Sequence, residues 1–507
     1  MQSIRPRFDE KRGRFSQSDA KMTESHSLSK AELSAMFSSF IDPAHVIDDP
    51  ETQRPYECDG LTIYSEMPLL VVLPDTVEQA LAVLKICHHF GVPVVARGAG
   101  TGLSGGATPH AEGVLLSLAR FDRILGIDPL ARTATVQPGV RNLEISEAVA
   151  SYGLFYGPDP SSQIACTIGG NVAENSGGVH CLKYGLTVHN VLRLEVLTAE
   201  GERLVVGSEG LDSAGFDLLA LMNGSEGLLG IVTEITVKLL AQPQHSQVVM
   251  AAFDSVASAG AAVAHVISAG IVPAALEMMD SHAIRAAEKY AKAGYPTDAA
   301  ALLLCELDGS ETEVAEQIDR VSGLFRSLGA ISTHVARTQH EKTLLWKGRK
   351  SAFPAMGLIS PDYYCMDGTI PRGEIAHVLE EMAKIAARYG LRVANVFHAG
   401  DGNLHPLILF DANVPGEIAK AEQLGGEILQ LCVAVGGCIT GEHGVGIEKL
   451  RQMPVQFSDS ELEQLRQIKS AFDPSGILNP GKGVPSLKRC QEYRSIGIAA
   501  RHATENL

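Results

Sequence analysis

Apolar runs and the residues that punctuate them divide the chain into regular units. LLVVLP at 69–74 is a continuous apolar stretch of strand length. In the following DTVEQALAVLKICHHFG, Ala80, Val83, Leu84 and Cys87 fall on one helical face. Asp75 and Glu78 stand at capping-box spacing, and Gly91 stops the helix. VPVVAR resumes as a strand, which gives a strand–helix–strand unit closed by a glycine loop. From about 110 to 240 strand patterns dominate: GVLLSL, TATVQPGV, VLRLEVLT and LGIVTEITVKLL. QPQH at 242–245 reads as a boundary, and from 246 to about 435 short strands alternate with helices, which predicts a second α+β domain. The most apolar long stretch, AGAAVAHVISAGIVPAALEMM at 259–279, contains His265 and Pro273. It predicts a helix followed by a strand or turn rather than a membrane span.

One short pattern raises a chemical question. In FHAGDGNLHP, 397–406, the strand-like VANVF precedes and LILF follows, so Asp401-Gly402 reads as a two-residue hairpin turn. That turn would place His398 opposite His405, with Cβ atoms about 4.5–5.5 Å apart on one face. Two imidazoles at that spacing either share a metal ion or cap a core and face water.

Composition narrows the functional classes. The chain has 507 residues, 45% hydrophobic and 20% charged, enough for roughly three domains at about 150 residues each. A net charge of −17 supplies no basic footprint for nucleic acid. The 50 glycines point to many close backbone approaches. The 9 cysteines are scattered with no C-x-x-C pair, so neither a zinc ribbon nor an iron–sulfur cluster is expected, and free thiols in a reducing cytosol are. Residues 1–15 are basic without an apolar core; they predict a disordered tail, with Met22 as an alternative start.

Four glycine-rich motifs carry candidate chemistry. RGAGTGLSGGA, 97–107, contains Gly100-x-Gly102-x-x-Gly105, but Pro109 follows and no helical period does, which disfavours a Rossmann site. A nest of backbone N–H groups for a pyrophosphate fits better than a flexible linker. PDPSSQIACTIGGNVAENSGG, 158–178, either runs along an extended cofactor or forms a surface loop. GILNPGKG, 476–483, imitates a P-loop, but Gly483 stands where Ser or Thr would hold magnesium and Pro480 removes a donor. In TGEHGVG, 440–446, Glu442 could complete a His2Glu metal site and His443 could act as a general base; the alternative is an exposed turn.

In chain order, PVVARGAGTGLSGGA, the 158–178 segment, GSEGLLGIVTEITVKL, HAGDGNLHP, GEHGVG and NPGK resemble the FAD-linked 2-hydroxy-acid dehydrogenases of the vanillyl-alcohol-oxidase (PCMH-type) flavoproteins, from about Pro55 to Arg489. SPDYYCMDGTIP and AENSGGVHCLKYGLTVHN are similar to the flavin-binding subunits of glycolate oxidases within that family. The resemblance implies an α+β fold. A tail and lead-in at 1–66 would precede a bipartite PCMH-type FAD domain at 67–242, an α+β cap at 243–435 and a C-terminal segment at 436–507 returning to the flavin. It assigns FAD contacts to Arg97, Gly98, Ala99, Gly100, Thr101, Gly102, Ser104 and Gly105, and to Pro138 and Gly139. Asp159, Ser161, Thr167, Gly169, Gly170, Asn171, Asn175, Ser176 and Gly177 follow, then Glu226, Gly227, Ile231, Val232 and Asn479. Some relatives attach FAD to a histidine where Thr101 stands, so the cofactor is expected to be non-covalent.

The same resemblance makes His398, His405 and Glu442 ligands of a divalent metal, zinc, manganese or iron, and His443 the base. Arg349 would pair with the substrate carboxylate; the plain alternative is a helix-surface cation, with Lys350 beside it. The implied reaction takes a hydride from C2 of glycolate to flavin N5, yielding glyoxylate. Cys365 stands where relatives that prefer dicarboxylates carry a lysine, which favours short monocarboxylates, glycolate first and D-lactate second. Implied partners are a second flavin-type subunit and an iron–sulfur subunit that pass electrons to the quinone pool. The chain would then be cytoplasmic and peripheral to the inner membrane through them. The alternatives are a D-lactate or D-2-hydroxyglutarate dehydrogenase, and a non-catalytic flavin- or metal-binding subunit.

Overall fold

The computed structural model describes residues 28–210 and 215–485. The expected tail, the alternative start at Met22 and Cys490 lie outside the described residues. The fold is α+β and contains three principal sheets. The first has the order Val46–Ile47, Leu70–Val72, Val114–Ser117, Val94–Arg97, with its last three strands parallel. Its crossover helix, Val77–Phe90, buries Ala80, Val83, Leu84 and Cys87 and ends on left-handed Gly91, as the period predicts. The cap differs by one residue. Thr76 Oγ1 accepts the Gln79 N–H, while Asp75 lies outside the helix, paired with Arg120. The second sheet is antiparallel and five-stranded, ordered Ile124–Asp128, Thr133–Val136, Ile231–Lys238, Val191–Leu197, Arg203–Gly207.

The third sheet, antiparallel and seven-stranded, carries the site. Its order is Ala330–Val335, His245–Phe253, Ala301–Gly309, Ala275–Asp280, Arg392–Phe397, Pro406–Phe410, Asp362–Cys365. Helices cover both faces, so its central strands are apolar without alternation. Val249, Ala251 and Phe253 pack toward helices Val256–Ser268, Glu311–Ser327 and Ile375–Tyr389. Val248, Met250 and Ala252 pack toward helices Ser281–Ala291 and Gln339–Lys350. The apolar stretch at 259–279 resolves into the end of helix Val256–Ser268 and most of strand Ala275–Asp280. Among the described residues no helix is long and apolar enough to cross a membrane.

After helix Asp459–Phe472 the chain returns to the first sheet. Val94 donates to the Ile477 carbonyl at 2.7 Å and Asn479 donates to the Val94 carbonyl at 2.8 Å, with Leu478 buried. Lys482 of the P-loop-like motif points at the Gly106 and Thr108 carbonyls and at Asn479 Oδ1. These bonds bind segment to segment.

A polar chain joins the sheets before and after residue 242. His180 Nδ1 lies 2.8 Å from Asp159 Oδ2, and Glu306 holds both Lys342 Nζ and Trp346 Nε1 at 2.6 Å. Lys183 and Tyr184 both meet Asp308. Burial opposes a charge on His180, but Asp159 and Glu306 outweigh it and hold the imidazolium up to about 10. A folded-state value above the ordinary 6.5 means stabilisation that is complete below pH 6.5 and lost as pH rises through about 10. The stability gap between the wild-type chain and His180→Gln, from urea unfolding at stepped pH, is therefore expected to be flat below pH 6.5 and to shrink above it. A gap independent of pH would remove His180 from this link.

Candidate active site

Strands Arg392–Phe397 and Pro406–Phe410 are joined by a four-residue turn, Ala399 to Gly402, instead of the two-residue turn expected. The ladder pairs Asn395 with Pro406, and His398 bridges Asn403, so the register is two residues away from the one that faces His398 with His405. Asp401 Oδ1 accepts the Asn403 N–H at 3.0 Å and Gly402 takes φ 84°, which together favour the longer turn. A shift of two preserves the face. His398 and His405 therefore become diagonal neighbours, with ring centroids 5.1 Å apart. Glu442 Oε1 lies 3.0 Å from His405 Nε2 and 3.5 Å from His398 Nε2.

Asp367 organises these groups. Its carboxylate accepts the backbone N–H groups of Gly441 at 3.0 Å, Glu442 at 3.2 Å and His443 at 2.8 Å. It also accepts Thr440 Oγ1 at 2.7 Å and Asn403 Nδ2 at 2.8 Å. Asn403 in turn accepts the His398 N–H through its carbonyl, at 3.1 Å. One buried carboxylate thus ties the loop bearing Glu442 and His443 to the hairpin bearing the other two histidines. From the flavin-side domain, Glu226 accepts the Val445 and Gly446 N–H groups, each at 2.7 Å.

Charge is balanced within the cluster. His398 Nδ1 lies 2.7 Å from Glu277 Oε1, which fixes the ring and leaves Nε2 facing Glu442. Burial opposes ionisation of His398, yet Glu277 and Glu442 raise it well above its ordinary value. Burial also opposes the Glu442 carboxylate, and the two histidines hold it well below the usual range. Burial pulls His443 down to about 4, with Asp367 opposing that shift, so its imidazole is neutral near pH 7. Burial, with Glu226 and Asp59 adding, raises Glu174 well above the carboxylate range.

Beside this cluster lies a cavity of about 400 Å3. Of the residues expected at FAD, Arg97 to Gly102 form one wall; Pro138, Ser161, Thr167, Gly169, Gly170, Asn171 and Ser176 form a second, and Glu226, Gly227, Ile231 and Val232 a third. His405, Glu442 and His443 also line it, as do Lys350, Phe353 and Pro354, with the Phe353 ring edge-on to His405 at 6.1 Å. The glycine-lined walls suit an extended cofactor that must approach backbone closely. The 158–178 segment, open between a run along a cofactor and a surface loop, contributes to the cavity wall and contains a helix, Ile168–Glu174, capped by Thr167. A Cβ on Gly169 would come within 2.5 Å of the Pro138 side chain, so this glycine serves packing.

The remaining expected contacts lie behind the wall. Ser104 holds the Ile447 and Glu448 N–H groups through its carbonyl, and Gly105 packs on Ile447 and Tyr64. Gly139 abuts the Leu118 and Phe121 carbonyls, and Asp159 is taken by His180. Asn175 caps its helix and accepts the Val188 N–H at 2.9 Å. Asn479 Nδ2 donates to the Gly106 and Glu226 carbonyls, at 3.0 and 2.7 Å. Gly177 packs against Glu442 instead, since a Cβ there would lie 2.6 Å from Glu442 Oε2.

Arg349 departs from the plain alternative. It is not a helix-surface cation, being 1% exposed, and it does not line the cavity. Nη2 lies 2.6 Å from Glu277 Oε2 but off the hydrogen-bond axis, and Nε has no partner among the described residues. The sequence reading missed Glu277 and Asp367. For Glu277 the signal is a carboxylate flanked on both sides by apolar residues within the buried strand ALEMMD.

The chain matches the family model "FAD binding domain" over residues 68–207 and "FAD linked oxidases, C-terminal domain" over 242–483. It is 61% identical over 457 residues to glycolate oxidase subunit GlcD of Escherichia coli (strain K12), covering 90% of this chain and 92% of that protein. It is 33% identical to a D-lactate dehydrogenase of Anaerostipes hadrus, covering 87% and 95%. In fold it is similar to 4-ethylphenol oxidase from Gulosibacter chungangensis, with TM-score 0.75, 19% identity and 91% and 98% coverage.

Asp367→Asn replaces an acceptor that several N–H groups share by a group half donor. Amide hydrogen exchange at Gly441, Glu442 and His443 is expected to accelerate by about tenfold or more, the equivalent of about 1.4 kcal/mol. Unchanged protection would show that the loop is held by its backbone alone.

Proposed function

The chain belongs to the FAD-linked oxidase family, and on that premise we propose that it oxidises glycolate to glyoxylate, with D-lactate as a second substrate. The observation that carries this reading is the placement of His405, Glu442 and His443 in the wall of the same cavity that the glycine segments line. FAD, when bound there non-covalently, supplies the acceptor for the hydride leaving C2. A divalent ion held by His398, His405 and Glu442 would lower the pKa of the substrate hydroxyl. Two imidazoles and a carboxylate are a donor set suited to zinc and also open to manganese or iron.

The chain's own residues do the rest. His443, neutral at pH 7, takes the hydroxyl proton at Nε2, 4.0 Å from the Glu442 oxygen. Glu277 orients His398. For the substrate carboxylate the candidate cations are Arg349, which Glu277 holds at 2.6 Å and whose Nε has no partner among the described residues, and Lys350, which lines the cavity. Cys365 offers no cation for a second carboxylate, which favours short monocarboxylates. The likeness to a named oxidase subunit supports transfer of electrons through partner chains, a flavin-type and an iron–sulfur subunit, toward quinone. The described cysteines are all free thiols and form no cluster pattern.

Anaerobic flavin bleaching tests the substrate. Glycolate is expected to reduce the flavin with the highest kcat/KM, D-lactate less well and D-2-hydroxyglutarate least. A dicarboxylate tenfold better than glycolate, about 1.4 kcal/mol, would overturn the reading of Cys365. The same half-reaction separates the roles. His443→Gln should keep FAD and reduce it about 10²–10⁴-fold more slowly. Arg349→Met should weaken glycolate binding more than Lys350→Met, and the reverse order would move the carboxylate to Lys350.

A further inference from the structure

We propose that Cys365, His405 and His443 form a second metal site, for a soft thiophilic cation, which excludes the His398–His405–Glu442 arrangement because the two share His405. One ligand atom from each of the three residues lies within 4.8 Å of the others. The His405 and His443 rings stack, 5.1 Å between centroids and 9° between planes. Both Nδ1 atoms are buried with no hydrogen-bond partner among the described residues. The Cys365 thiol is buried at the end of strand Asp362–Cys365, and the hydrogen bond it makes is a weak one to the Met366 carbonyl at 3.3 Å. His405 and His443 line the cavity, so a cation entering it reaches the set directly.

The two donor sets differ in softness. Two imidazoles with a carboxylate accept zinc, manganese or iron. Two imidazoles with a thiolate select zinc, cadmium or copper(I). Binding releases the thiol proton to solvent and leaves a sulfur–metal bond, with no change of oxidation state. A cation held there takes up a lone pair of His443. Such a cation therefore inhibits flavin reduction, a consequence that rests on His443 being the proton acceptor.

Cadmium titration of the FAD-loaded chain tests this, read by the thiolate-to-cadmium charge-transfer absorption as a difference spectrum and by anaerobic flavin reduction. The chain has 9 cysteines, so the comparison that counts is wild type against Cys365→Ser and Cys365→Ala, each checked for bound FAD. Both variants are expected to lose the absorption tied to inhibition and to need at least about tenfold more cadmium for the same loss of reduction, since a ligand counts for more than the 10–100-fold of a supporting residue. His398→Ala, which removes a ligand from the first set only, should keep the absorption. Absorption undiminished in both Cys365 variants, or abolished in His398→Ala, overturns the second site and leaves the proposed oxidation untouched. Absorption that behaves as expected without inhibition upholds the site and removes His443 as the base.

Discussion

The carboxylate of Asp367 is the constraint on which the site depends. It is fully buried, and a buried carboxylate is costly unless several donors surround it. Those donors are the backbone of Gly441, Glu442 and His443 together with Asn403. The loop could not move without stripping a buried charge of its partners. Burial resists that charge, and with His443 neutral it is the buried ammonium of Lys449, 3.5 Å away, together with the donated N–H groups, that keeps Asp367 ionised. The charge that holds the loop is thus itself stabilised by the residues the loop brings.

The same economy runs through neighbouring groups. Glu277 answers both His398 and Arg349, and Lys449 answers both Asp367 and Glu448. Removing one partner of such a set leaves an uncompensated buried ion, which typically costs about 3–5 kcal/mol. These side chains therefore form a connected network rather than independent contacts, and effects at neighbouring positions will not add.

How much of this was legible in the sequence follows from the range of the interactions. The strands and the helix Val77–Phe90 were readable because their apolar period is local. The ligand and base candidates were readable because they sit in short motifs of unusual residue types. The hairpin register was misread because Asp-Gly favours a two-residue turn, whereas here the Asp401 side chain bonds its own backbone and lengthens the turn. The helix Ile168–Glu174 was hidden because Gly169 and Gly170 look like loop residues, although Gly169 is small to clear Pro138. Glu277 and Arg349 lie 72 positions apart by number, and only the fold joins them. Asp367 sits in the quoted SPDYYCMDGTIP, but nothing local shows that its partners are Asn403 and residues 440–443.

The return of residues 477–479 to strand Val94–Arg97 bears on the order in which the molecule is made. Asn479 and Gly106 are 373 residues apart, and Val94 donates to the Ile477 carbonyl and bridges Leu478. At ribosomal rates of about 5–20 residues per second, the glycine loop emerges roughly 20–75 s before the segment that braces it. During that interval the loop lacks the Asn479 and Lys482 bonds to the Gly106 carbonyl. A product that stops short of Asn479 therefore lacks the brace on the loop that lines the cavity.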